Sequence, residues 1–162
     1  MASFNVLNNK DKQALLSRLN NQFGISKIDG SFITFGHDKF RVFTGVITAD
    51  QISTLKQFFR LEILGSYFFT LEGDGDNDIR LSHDAAIILR DQITKNFVVI
   101  DKAQEFDWLR GKDVSLTPDQ VKDYELVRGF VVVKCDGEVV GCGRISQDGR
   151  LRNFVPKERR IK

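Results

Sequence analysis

The chain has 162 residues, 41% of them hydrophobic and 28% charged, with a net charge of +2. That balance excludes a disordered chain and leaves room for one ordinary domain or two small ones sharing an interface. No apolar run approaches the roughly 20 residues of a membrane-spanning helix, and the opening MASFNVLNNKDK lacks the order of a signal peptide, so a cytoplasmic location is expected.

Asn8 or Asn9 is placed to cap a helix over residues 10–23, where Ala14, Leu15, Leu19 and Phe23 recur at helical spacing. Gly24 is placed to end it. Alternation then predicts strands over 25–28, 32–35 and 40–43, separated by turns at Asp29-Gly30 and around residues 36–38. Thr48 offers a cap for a helix reaching about Phe59, and 61–64 and 67–71 have the pattern of short strands. The loop GDGDNDI, residues 73–79, places Asp74, Asp76 and Asp78 at alternate positions, as calcium ligands would be. Ile79 stands where the sharp turn needs Gly and Ala85 where a bidentate Glu is required, so an acidic hairpin loop is expected. Ser82 caps a further helix over 83–93 that is expected to pack on the strands.

From Lys95 the pattern changes, and a domain boundary is placed there, giving an N-terminal domain of residues 1–95 and a second of 96–162. A strand over 97–100 leads into a helical turn over 102–110 carrying Phe106, Trp108 and Leu109, with Trp108 expected in the core. Thr117-Pro118 opens a turn or single helical turn, DQVKDY, before a strong strand over 130–135 and a hairpin at Asp136-Gly137. Gly141 and Gly143 suit a bulge or a close approach by another backbone, an RNA's included. Asp148-Gly149 turns the chain into a last strand over 150–155, in which Phe154 is expected to be core, with base stacking as the alternative. Several short strands with one short helix predict a small β-barrel.

Charge is unevenly placed along this order. Residues 144–162 hold seven Lys or Arg against Asp148 and Glu158, a local +5 that leaves −3 on the rest. Interleaved with Leu151, Phe154 and Val155, such a concentration suits a polyanion, because each cation set against a phosphate releases a condensed counterion. His37 and His83 are the only histidines, and with no Cys-x-x-Cys a metal site has little support. Cys135 and Cys142 are expected to be small buried side chains rather than a disulfide. No nucleophile, metal set or phosphate loop points to catalysis, and no cofactor is implied.

The segments FVVIDKAQEFDWLRGKDV (97–114) and RGFVVVKCDGEVVGCGRI (128–145) resemble the PUA domain, an RNA-binding pseudobarrel. The ending DGRLRNFVPKERRI (148–161) is similar to the C-terminal tail of Sun-type rRNA cytosine methyltransferases. An α/β half of about 95 residues followed by PUA also resembles the Nip-seven-type ribosome biogenesis factors. The resemblance implies an α+β chain: an N-terminal pre-PUA domain with an antiparallel sheet, then a PUA-like β-barrel. It also implies RNA contact beside the short helix and the C-terminal strands, nominating Arg110, Lys112, Arg144, Arg150, Arg152, Lys157, Arg159 and Arg160 for phosphate contact. The methyltransferases attack cytosine with a cysteine beside prolines in a separate domain that binds S-adenosylmethionine. Here Cys135 precedes Asp136 and Cys142 lies between glycines, and no cofactor domain is expected in 162 residues. The expected function is a non-catalytic RNA-binding protein acting on rRNA or tRNA in ribosome biogenesis or RNA modification. The alternative is an adaptor whose first half, rich in the chain's 14 Phe, exposes an apolar patch to an assembly factor or modifying enzyme.

Overall fold

Strands β1 (Phe4–Val6), β2 (Ser31–Phe35), β3 (Lys39–Phe43), β4 (Ser66–Leu71) and β5 (Ile79–Leu81) lie side by side in chain order as one antiparallel sheet. The computed structural model describes residues 4–75, 78–123 and 129–162. The start of the opening segment, Asp76 and Asn77 of the acidic loop, Tyr124 of DQVKDY and Arg128 lie outside the described residues. Alternation along β2 and β3 sends Phe32, Phe40 and Val42 to one face and Ile33, Phe35 and Phe43 to the other.

Helix α1 (Asn9–Phe23) covers the first face with Leu15, Leu16, Leu19 and Phe23. The Asn8 side chain accepts from the Asp11 N–H at 2.8 Å, and Gly24 closes the helix at φ 86°, a left-handed conformation suited to glycine. Helix α2 (Ala49–Phe58), begun by a Thr48–Gln51 capping box, lies over the opposite face through Ile52. Helix α3 (His83–Ile88) follows β5, capped by Ser82.

The predicted strands at 25–28 and 61–64 do not form. Ile25 and Ile28 are buried in the first core, but the backbone between them pairs with a side chain: Gln92 accepts from the N–H groups of Ser26 and Lys27 and donates to the Lys27 carbonyl at 2.8 Å. A short 3-10 turn (Arg90–Gln92) sets Gln92 there, which is why the helix predicted to reach 93 stops early. At 61–64 the Arg41 guanidinium occupies the carbonyls of Leu64 and Gly65, leaving no ladder to join. In the acidic loop Asp78 accepts from the Gly75 N–H, and Arg18 donates to the carbonyls of Gly73 and Gly75.

The second half is a curled, open half-barrel of five strands in the order β6-β8-β9-β10-β7. These are β6 (Phe97–Val99), β7 (Val114–Ser115), β8 (Gly129–Cys135), β9 (Glu138–Ile145) and β10 (Arg150–Asn153), and β6 runs parallel to β8. Helix α4 (Lys102–Leu109) plugs the concave side with Trp108, which is 0% exposed and donates from Nε1 to the Val140 carbonyl at 3.0 Å. Around it pack Val98, Ile100, Val131, Val133, Leu151 and Val155. Helix α5 (Pro118–Asp123) follows β7.

The convex side of this sheet completes the first core: Val132 and Cys142 belong to the cluster built on α1 and the first sheet, and Phe97 and Val139 pack against it. Gln22, itself buried, bonds the backbone of Ile79 on β5 and of Phe130 on β8. Both cysteines are free and buried. Gly141 sits at a bulge opposite Val133, where a Cβ would press on Val155 and Trp108, while a Cβ on Gly143 would meet the Arg152 carbonyl at 2.7 Å. The backbone approaching Gly143 is therefore that of the protein's own strand β10, while Gly141 is approached by side chains.

Candidate nucleic-acid interface

Strand β10 alternates: Leu151 is buried in the barrel, so Arg150 and Arg152 point outward and are exposed. The β9–β10 register sets Arg152 directly opposite Arg144, and the β8–β9 register sets Arg144 opposite Phe130. Three guanidiniums thus share the convex face of two adjacent strands. The Arg144 guanidinium lies over the Phe130 ring at 5.3 Å from its centroid, which fixes the side chain without consuming its charge.

A short chain of contacts joins this face to the exit of α4. Asp113 accepts from the Arg152 guanidinium at 2.8 Å and from the Asn153 N–H at 2.9 Å. The Asn153 side chain donates to the carbonyls of Trp108 and Lys112 and accepts from the Val155 N–H. The Asn153 N–H and, secondarily, the Arg152 guanidinium hold the Asp113 carboxyl below its ordinary value. At that exit Lys112 pairs with Asp107 at 2.7 Å, and the Arg110 guanidinium lies over the exposed ring of Phe106, 3.5 Å from its centroid. Arg160 donates from Nε to the Val155 carbonyl and packs on Gly111, whose φ of 85° and missing Cβ admit it.

Six of the eight nominated cations are therefore linked through β10 and the α4 exit. The other two stand apart: Lys157 is exposed in a 3-10 turn (Lys157–Arg159), and Arg159 turns toward the first half to pair with Asp84 at 2.9 Å. Among the described residues, three of the eight, Lys112, Arg152 and Arg159, carry an acid partner. In each of those pairs both side chains reach solvent, where such pairs are worth about 0–1 kcal/mol, so a phosphate can replace the carboxylate at little cost. Among the described residues Arg150 and Lys157 make no ion pair. Residue spacing did not single out Phe106 as a platform for Arg110; their i, i+4 spacing on α4 was the available signal. Phe154, expected in the core, is 39% exposed, because β10 ends at Asn153 and the chain turns its next side chain out of the barrel.

Residues 95–161 match the family model described as the methyltransferase RsmF PUA domain. No curated protein matches the chain.

Proposed function

Residues 95–161 form a PUA domain similar to that of methyltransferase RsmF, and from that premise we propose that the chain is a non-catalytic RNA-binding protein. The domain suggests RNA binding in a setting of rRNA modification. We place its action in the cytoplasm, on rRNA or tRNA, as an accessory to ribosome assembly or to RNA modification. The first 95 residues would serve as a pre-PUA domain, in the manner of the Nip-seven-type factors. The observation that carries the proposal is the cross-strand row of Arg144 and Arg152 with Arg150 beside them, at strand spacing and facing solvent.

Guanidiniums repeated along and across strands meet successive phosphates, which positions an RNA strand without reading its bases. Arg110 on Phe106, and Lys112 and Arg160 beside it, extend the contact to the α4 exit. Replacing Arg150, Arg152, Arg159 and Arg160 together by Glu is expected to abolish most RNA binding at moderate salt. A gel shift in which that variant holds RNA as tightly as the parent would remove this face from consideration.

A second function has its own support. Phe58, Phe59 and Ile63 are 73%, 65% and 73% exposed at and after the end of α2, apolar side chains on the first half that fit recruitment of a modifying enzyme or an assembly factor. Full-length protein carrying Phe58→Ser and Phe59→Ser would lose such a partner in a pull-down while still binding RNA.

A further inference from the structure

We infer that the cleft between the first sheet, α3 and the tail after β10 is a separate binding site for an unpaired nucleotide of an RNA strand, its base on Phe154 and its phosphate at Arg41 and Arg159. The inference rests on the RNA-binding role proposed above but concerns residues outside the β9–β10 face.

The cleft has a volume of about 810 Å³. Neighbouring positions on β3 and β4 bring Arg41 and Tyr67 side by side on one wall, with Arg80 of β5 beyond them. The α3 start supplies His83, and the tail after β10 supplies Phe154 and Arg159. Phe154 meets Phe130 edge-on at 5.6 Å and 77°, and the Arg80 guanidinium lies 5.4 Å from its centroid. Arg144 packs on Phe130 in turn. The row Arg80, Phe154, Phe130, Arg144 thus connects the cleft to the basic strand face, with Arg80 itself paired to Glu72 at 2.7 Å.

An aromatic ring left partly open beside guanidiniums suits a planar, electron-rich group joined to an anion, which is what a nucleotide offers. Arg41 donates to the carbonyls of Leu64 and Gly65 and makes no ion pair among the described residues, so its charge remains available. Arg159 is held by Asp84 in a pair whose members are 53% and 57% exposed, an exchangeable contact. His83 adds a directional group. Its Nδ1 is buried without a partner against Gly141, leaving Nε2 as the ring nitrogen with access to a ligand. Burial depresses its pKa, favouring the neutral ring. Arg41, Arg80 and Arg159 outnumber Asp84 and Glu158 on its walls, which favours RNA over an apolar peptide.

The test uses the full chain and a fluorescein-labelled single-stranded RNA of nine uridines, read by anisotropy. Phe154→Leu is expected to weaken binding about tenfold, in the range that one stacked base contributes, while Phe154→Trp binds as the parent does. In parallel, 4-thiouridine RNA photo-crosslinked to the parent is expected to label the segments carrying Tyr67 and Phe154. The control is the Arg144→Glu, Arg150→Glu, Arg152→Glu triple variant. If it loses binding while Phe154→Leu keeps it, the cleft site is overturned and the strand face stands. If the parent does not bind RNA, both fall. Should Phe154→Leu not fold, the crosslinks decide, and adducts confined to β9 and β10 overturn the cleft site.

Discussion

The side-chain amide of Gln22 donates to the Phe130 carbonyl oxygen at 3.3 Å, linking α1 to β8 across the junction of the two sheets. The same amide exchanges two hydrogen bonds with Ile79, donating to its carbonyl at 2.9 Å and accepting from its N–H at 3.1 Å. A 1% exposed glutamine with every bond made in the interior specifies how the halves meet, because sliding one against the other would strand these groups.

Replacing Gln22 by Leu keeps the bulk but leaves the Ile79 N–H and carbonyl without these partners. Each buried group left unsatisfied costs about 1–3 kcal/mol, so a loss of at least about 2 kcal/mol is expected in urea unfolding, as a lower midpoint with unchanged slope. A variant as stable as the parent would show that water reaches these groups.

Contact between the β9–β10 face and single-stranded RNA through about four phosphates predicts a slope near −3 for log affinity against log salt. Removing Arg144 and Arg152 together should bring the slope to about half that value. A slope near zero in the parent would mean that binding, if present, is not electrostatic.

The depressed Asp113 carboxyl gives a pH prediction. Its contribution to stability is fully present above the ordinary unfolded value, 3.8, and is lost as pH falls through the lower folded value. Asp113→Asn should therefore be less stable than the parent near about pH 7, by no more than about 1 kcal/mol because Arg152 is half-exposed, with the gap closing in acid. Thermal unfolding of both proteins across the acid range checks it; a gap that widened on acidification would reverse the assignment.

Gly111→Ala is expected to cost about 1–2 kcal/mol, the penalty of a side chain in the left-handed region. Its Cβ would also fall 2.4 Å from Arg160 Nε, so the guanidinium must move. Because Arg160 is a nominated phosphate contact, RNA affinity should fall modestly alongside the melting temperature. Unchanged affinity would detach Arg160 from the interface.

Burial pushes the Cys142 thiol up to about 12, and Cys135 is raised by the same cause. Neither should react with a thiol-specific disulfide reagent in the native protein at neutral pH, and both should titrate in denaturant. Fast native labelling of Cys142 would mean that the two sheets separate readily.

Much of this fold was legible locally. Asn8, Thr48 and Ser82 accept from the backbone N–H three residues on, and the periodicity of α1 places its apolar stripe on the sheet. The errors arise where a distant side chain replaces a ladder, as Gln92 does for residues 26–27 and Arg41 for 64–65. The three-residue strands β1 and β5 offer too few positions for alternation to be recognised. The clustered tail charge was visible in sequence, and strand alternation orders Arg150 and Arg152. The facing of Arg144 and Arg152, the turn of Arg159 toward Asp84 and the exposure of Phe154 depend on register and on where β10 ends.

The placement of Val132 and Cys142 in the core beneath α1 has a consequence for biosynthesis. Chains are made from the N-terminus onward, so the first five strands emerge with one side of their interior unfilled and must wait for the hairpin of β8 and β9. Until residue 142 is in place, this core lacks two of its members, a period in which the nascent protein is exposed to aggregation or to chaperone capture. Substitutions that shrink Val132 would prolong that interval even where the finished molecule tolerates them.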